Sequence, residues 1–344
     1  MNTMRAAVIR AYRDVVVETM PAPEVEPGGL LVRTAACGIC SGDVMPWYIE
    51  KKAPLVLGHE PAGTVVAVGE NAPFAVGDRV FAHHHAPCMK CDLCRRGLYV
   101  HCEVWKQPAI TPGGCAEYFA VSANGARHDT LLIPDALPIE AGCLVEPLGC
   151  AVKGFRRLRA PEQLGVVLVL GLGPMGLLNI ALARHHGASM IVAVDRVPYR
   201  LDLARRFGAD ATVDFSQNNV KTALLDIAGR SADLVIVGPP DVAAMETGVS
   251  CAAPGADVLL FSPVTPGQEF AYDPNRLYFD EVNLIPSYSC GPDDTRDALA
   301  LLADGVIDID ALVSQRFPLD KVGQAYDLVA AGGDSAKVLV ELGG

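Results

Sequence analysis

Four cysteines give the clearest chemistry in this chain: Cys88-x-x-Cys91-x-x-Cys94, then Cys102 after seven further residues. Four thiolates so spaced can close a tetrahedron of Zn–S bonds, and a shell filled in this way leaves no position for a reacting molecule. The expected role is therefore structural, with residues 85–105 folded as a lobe around one zinc ion. Disulfides between these thiols would need an oxidising compartment, for which nothing in the sequence argues. Further upstream, His59-Glu60 lies between Gly58 and Gly63, at a corner expected to face a cleft. Taken alone, the pair reads more readily as a corner histidine beside a solvated glutamate. His83-His84-His85 invites a metal reading, but adjacent residues of an extended segment point to opposite faces, so the three cannot chelate one ion. Cleft lining or solvation is expected there.

A second chemistry lies mid-chain. Val166–Leu170 is a short β-branched apolar run, followed by Gly171-Leu172-Gly173-Pro174-Met175-Gly176, a helical stretch to His186, Gly187, and a second apolar run ending at Asp195. The run suits a parallel strand buried on both faces. The glycines permit a tight turn, let backbone approach a pyrophosphate, and let helix pack against strand; Pro174 suits the first helical turn. The helix N-terminus offers free N–H groups and the positive end of its dipole. A carboxylate about twenty residues beyond the glycines can accept both ribose hydroxyls of NAD and repel a 2′-phosphate. Arg196 beside it could meet such a phosphate. Arg200 reads equally as a ribose contact or as part of a solvated helix. The apolar stretch Val166–Ala183 is not read as a membrane span, because its glycines and proline impose a turn.

Two domains are needed to position these groups. A chain of 344 residues exceeds one ordinary core, and its 51% hydrophobic and 6% aromatic content suits layered α/β packing. A formal charge of −12 argues against nucleic-acid or anionic-membrane partners. No export signal is read at the N-terminus, and eleven cysteines clustered as here favour metal over disulfides, so a cytoplasmic protein is expected. Met4–Ile9, Val15–Thr19, Leu30–Cys37 and Thr64–Val68 read as strands, with glycines 58, 63, 69 and 77 marking sharp corners. This half reads as a small β-barrel. Leu144–Cys150 begins a helix, and the domain change is expected close to Gly149. The nucleotide unit then covers residues 150–286, with strands at Leu234–Val237 and Val258–Phe261. Helices near Gly291–Ala303 and Lys321–Ala330 and a strand at Lys337–Leu342 complete the chain.

With these motifs in place, the sequence resembles the zinc-dependent medium-chain alcohol and polyol dehydrogenases over essentially its full length. The resemblance rests on Gly-Ile-Cys40, Gly58-His59-Glu60, the four-cysteine lobe, the Gly171–Gly176 turn and Asp195. It implies a Rossmann doubly wound parallel sheet inserted into a GroES-like β-barrel catalytic domain. Residues 1–149 would form the catalytic part, and 287–344 would return to complete it. By motif position, Cys40 and His59 resemble the first two ligands of a catalytic zinc. Glu146 stands where simple-alcohol enzymes have a cysteine, as in the sorbitol- and threonine-dehydrogenase-like branches. Glu60 is expected to meet the metal directly or through water, and Asp43 to orient the ligand histidine. Cys37 is expected to be a core thiol.

One departure matters. The family's usual hydroxyl, two residues after the ligand cysteine, is replaced by Gly42, with Ser41 one residue earlier and Met45 where many relatives have histidine. Ser41, Glu60 or water are the alternatives for passing on the substrate proton. The resemblance implies an NAD-dependent oxidoreductase acting on a polyol, sugar, cyclitol or amino alcohol, with two zinc ions per chain and a homodimeric or homotetrameric assembly. The alternatives are a non-catalytic NAD-binding protein that retains the fold, and a ketone reductase in a biosynthetic route.

Overall fold

The structure is a computed structural model that describes residues 3–343. It divides into two units. The first comprises residues 3–149, Cys290–Gly305 and 313–343; the second comprises Cys150–Ser289 and Val306–Leu312.

The long strand Leu30–Ile39 organises the first unit. One of its edges pairs antiparallel with Glu60–Val68; the other pairs with Tyr118–Val121 along its first half and with Lys337–Glu341 along its second. Arg79–Ala82 and Thr130–Leu132 extend the sheet beyond Glu60–Val68, and Val313–Pro318 extends it beyond Lys337–Glu341. The sheet curls into a half-barrel. Two register shifts interrupt its central pairing, between Leu31 and Val32 and between Thr34 and Ala36, and such irregularities bend a strand and raise its twist. A second sheet of Asp14–Pro21, Thr3–Ala11 and Leu55–Val56 lies in the same unit. The C-terminal segment contributes core as well as hydrogen bonds. From helix Val322–Ala331, the fully buried Tyr326 packs with Ile9, Cys37, Ile39 and Val340 and donates its hydroxyl to the carbonyl of Asp43 at 2.7 Å. Cys37 is thus a core thiol.

The second unit is a six-stranded parallel sheet. Val166–Leu170 and Ala232–Val237 lie at its centre. Met190–Asp195 and Ala211–Asp214 follow on one side, Ala252–Leu260 and Asn283–Pro286 on the other. All five residues of Val166–Leu170 are buried, as an uninterrupted apolar run requires when helices cover both faces. Helices Pro174–His185, Pro198–Arg206, Val220–Ala228 and Val242–Cys251 alternate with these strands.

Two boundaries differ from the sequence reading. Residues 287–289 belong to the nucleotide unit, and so does the short return Val306–Leu312. In that return Ile307 and Leu312 are buried, and Asp308 pairs with Arg206 at 2.8 Å. So short a segment, seven residues between Gly305 and Val313, gave no sign of this second crossing.

Candidate active site and metal centres

Cys40 leaves the end of strand Leu30–Ile39 and caps the short 3₁₀ turn Ser41–Val44, its sulfur accepting the Gly42 N–H at 3.4 Å. Asp43 of this turn uses both oxygens. One accepts the Cys40 N–H at 3.1 Å, and the other lies 3.2 Å from His59 Nδ1. This fixes the ring and leaves Nε2 as the ligand nitrogen. His59 and Glu60 follow Gly58, whose φ is +96°; a Cβ there would fall 2.6 Å from Cys37 Sγ and 2.8 Å from Cys115 Sγ, so both space and backbone demand glycine. The result is a cluster in which one donor atom each from Cys40, His59 and Glu60 lies within 4.8 Å of the others. A thiolate, an imidazole and a carboxylate suit zinc.

Buried charge surrounds this cluster. Glu60 is 0% exposed and pairs with Lys337, itself 2% exposed, whose ammonium also donates to the Ile39 carbonyl at 3.3 Å. Space for the pair depends on Gly38, where a Cβ would fall 2.7 Å from Lys337 Cε and still closer to Glu60. Burial raises the Glu60 carboxyl above its ordinary range, against the opposing charges of Lys337 and His59. Burial likewise disfavours a charged His59, but the Asp43 charge and hydrogen bond, with Cys40 beside them, outweigh it and hold the ring well above its ordinary pKa. A metal entering here must displace that proton. Ser41 is exposed on the turn.

Glu146 lies close enough to the cluster for its charge to act on both Glu60 and Lys337. It sits in the first turn of helix Val145–Arg156, and its carboxylate also lies within 4.8 Å of donor atoms of His83 and Cys290.

The three histidines diverge, but not into solvent. His83 is fully buried, with Nδ1 2.8 Å from Asp129. His84 lies beside His59 with ring centroids 4.8 Å apart, and burial followed by the charges of His59 and His83 holds its pKa well below the ordinary value. His85 stacks on Trp105 at 4.2 Å. His83 and Cys290 were not singled out as site residues by the sequence, and no local spacing joins positions 207 residues apart.

Cys88, Cys91, Cys94 and Cys102 gather their sulfurs within 4.8 Å of one another. The small core beneath them holds Cys94, Val100, Cys102 and Trp105. Backbone N–H groups of Lys90 and Cys91 lower the Cys88 thiol to about 6, whereas burial and neighbouring thiols push Cys94 up to about 12. Four such sulfurs cannot all ionise without a cation, and a zinc ion fits the set.

In the second unit, Gly171 has φ +83°, and a Cβ at Gly176 would fall 2.0 Å from the Gly171 carbonyl oxygen. A Cβ at Gly173 would meet nothing within 4 Å, so packing does not require glycine there. Helix Pro174–His185 starts there, with Met175 in its first turn. The buried Asp195 accepts from the N–H of Leu172 at 2.7 Å, and from those of Arg196 and Val197 at 2.7 and 3.0 Å. It thereby ties the glycine turn to the neighbouring strand end. Arg196 is exposed, and Arg200 is half-buried in helix Pro198–Arg206. No helix among the described residues is long and apolar enough to cross a membrane.

The chain matches the alcohol dehydrogenase GroES-like domain over residues 26–134 and the zinc-binding dehydrogenase domain over residues 174–304. It is 30% identical to a sorbitol dehydrogenase of Bombyx mori, with 99% of each chain covered. The chain belongs to the zinc-dependent medium-chain polyol dehydrogenases. An erythritol/L-threitol dehydrogenase of Mycolicibacterium smegmatis is 28% identical, with 97% of this chain and 96% of that one covered. Among solved structures, one described as a zinc-binding dehydrogenase of Sinorhizobium meliloti 1021 bound to NADP superposes with a TM-score of 0.88 at 29% identity. It covers 99% of this chain and 100% of its own.

Removing one partner from a buried ion pair leaves an uncompensated charge. Lys337→Met is therefore expected to destabilise the first unit by about 3–5 kcal/mol, read as a lower midpoint in urea unfolding followed by circular dichroism. An unchanged midpoint would mean that the pair does not form.

Proposed function

We propose that the chain oxidises a secondary alcohol flanked by a second hydroxyl or amine, in a polyol, cyclitol or amino alcohol, with NAD as acceptor and zinc as Lewis acid. The observation that carries this reading is the convergence of Cys40, His59 and Glu60 within 4.8 Å, on a chain that also has the open Gly173 cradle.

Cys40, His59 and Glu60 would hold the catalytic zinc, and Cys88, Cys91, Cys94 and Cys102 the structural one. When bound, zinc lowers the pKa of a coordinated hydroxyl and NAD accepts hydride. Asp43 holds the His59 ring through Nδ1, which keeps its other nitrogen turned to the cluster. Lys337 balances Glu60, so its carboxylate can remain charged although fully buried. Of the groups considered for passing on the substrate proton, Glu60 is sequestered with Lys337, whereas Ser41 is exposed beside Cys40. We assign that proton to Ser41. Trp47 and Tyr48 follow on the short helix Pro46–Glu50, with ring centroids 5.6 Å apart, and offer stacking and polar contacts to a ring or polyol. A carboxylate in place of a third compact thiolate leaves the metal more adaptable to a substrate with two donors.

An activity panel tests the reading. kcat/KM for vicinal diols, cyclitols or amino alcohols is expected to exceed that for ethanol or 2-propanol by well over tenfold. Comparable values for 2-butanol and 2,3-butanediol would defeat it.

The ground for NAD is Asp195. Its buried carboxylate ends the second strand, where a 2′-phosphate would meet like charge, and Oδ2, which accepts only the Leu172 N–H, keeps a site for a ribose hydroxyl. The Sinorhizobium meliloti structure holds NADP, which makes the comparison worth measuring. NAD is expected to give the higher kcat/KM, and Asp195→Ser to narrow the gap. NADP preference in the unaltered protein would reverse the assignment.

We also propose a homo-oligomer formed through the second unit. Tyr278 and Phe279, each 77% exposed, and Tyr288 at 61% flank the edge strand Asn283–Pro286. Exposed aromatics beside an open sheet edge mark an interaction surface. Analytical ultracentrifugation should find a dimer or larger assembly that dissociates in Phe279→Asp, and a monomer in the unaltered protein would refute it.

A further inference from the structure

We propose that Tyr326 is a positioning residue for the Cys40–His59–Glu60 site, its hydroxyl holding in place the turn whose carboxylate sets two of the three ligands. It acts through Asp43, and the proposal rests on the reading of that site given above.

The turn is poorly held by its own backbone. Ser41–Val44 is a single 3₁₀ turn of four residues. The Asp43 N–H donates to the Cys40 carbonyl at 3.0 Å, and the Met45 N–H to the Gly42 carbonyl at 3.4 Å. The next bond of this series would run from residue 46 to the Asp43 carbonyl. Residue 46 is proline and has no N–H to give. Gly42 loosens the turn further, because it has the largest backbone freedom and no side chain to brace its neighbours. A Cβ there would meet only Cys40 Sγ, at 3.6 Å, so packing does not require the glycine.

Asp43 is buried, and a buried carbonyl denied its backbone donor needs another. The Tyr326 hydroxyl is that donor, 2.7 Å away and 283 residues further along the chain. Tyr326 is itself fixed. It is 0% exposed in the core formed with Ile9, Cys37, Ile39 and Val340, and the Tyr12 ring stands edge-on to it at 6.5 Å. Phenylalanine would fill this core equally well; a hydroxyl is kept in such a place only where it has an acceptor.

What the hydroxyl holds is the residue that sets the ligands. One Asp43 oxygen accepts the Cys40 N–H at 3.1 Å, and the other lies 3.2 Å from His59 Nδ1. With its carbonyl released, Asp43 could shift and take the Cys40 backbone and the His59 ring with it. Partners of this kind, one bond behind the ligands, tune how tightly a metal is held.

The test follows zinc leaving the protein. In the chelator dipicolinate, the unaltered protein is expected to release its ions in two phases, and the phase absent from Cys40→Ser belongs to the Cys40–His59–Glu60 site. Tyr326→Phe keeps the ring and removes only the hydroxyl. It is expected to speed that phase about 3–10-fold, short of the 10–100-fold usual in affinity when a group touching the ligand itself is lost. The phase of the four-cysteine lobe should not change. Val121→Ala, in a separate core cluster of the same unit, controls for stability: it should lower the urea midpoint and leave both phases alone. Unaltered release from Tyr326→Phe, or equal speeding of the first phase by Val121→Ala, would overturn the proposal. An unaltered protein lacking the first phase altogether would overturn the reading of the site, and the proposal with it.

Discussion

The buried pair of Glu60 and Lys337 is the constraint on which the first unit depends. A carboxylate removed from water beside a candidate metal cluster would be driven to take up a proton unless a cation matched it. Lys337 is that cation, and it comes from the last strand of the chain. Gly38, on the strand between them, is bare because a side chain there would occupy their space. Strand pairing, glycine placement and site charge therefore form one requirement. The register of Lys337–Glu341 against Leu30–Ile39 sets the ammonium where Glu60 needs it.

The nucleotide turn shows a comparable economy. Asp195 already accepts three backbone N–H groups, one from the glycine turn and two from the loop that follows its own strand. A carboxylate fixed in this way is pre-organised before any ribose arrives, so less ordering remains for binding to impose. The same residue joins strand, turn and cofactor preference.

Legibility in the sequence followed distance along the chain. The cysteine lobe and the Gly171–Gly176 turn could be read because their spacing is local and each residue type has a narrow physical use. The alternation of apolar runs and helical stretches was enough to find the parallel sheet. His83 was read as lining or solvated, although it is fully buried; its partner Asp129 is 46 residues away, and only sheet topology brings them together. Lys337 did leave a faint mark. A lysine opening an otherwise apolar strand, Lys337-Val-Leu-Val, needs a buried anion, but nothing local names Glu60.

The order of the units along the chain has a consequence for how the protein is made. The second unit lies almost wholly inside a single stretch of sequence, so its sheet can close while the ribosome is still at work. The first unit cannot finish in the same way, because its central strand and Glu60 must wait for Lys337. At about 5–20 residues per second that wait lasts some tens of seconds. Throughout it, an open strand edge and a buried-to-be carboxylate face solvent or a chaperone instead of their partner. The nascent chain thus carries a finished nucleotide unit and an unfinished companion, which only the arrival of Lys337 completes.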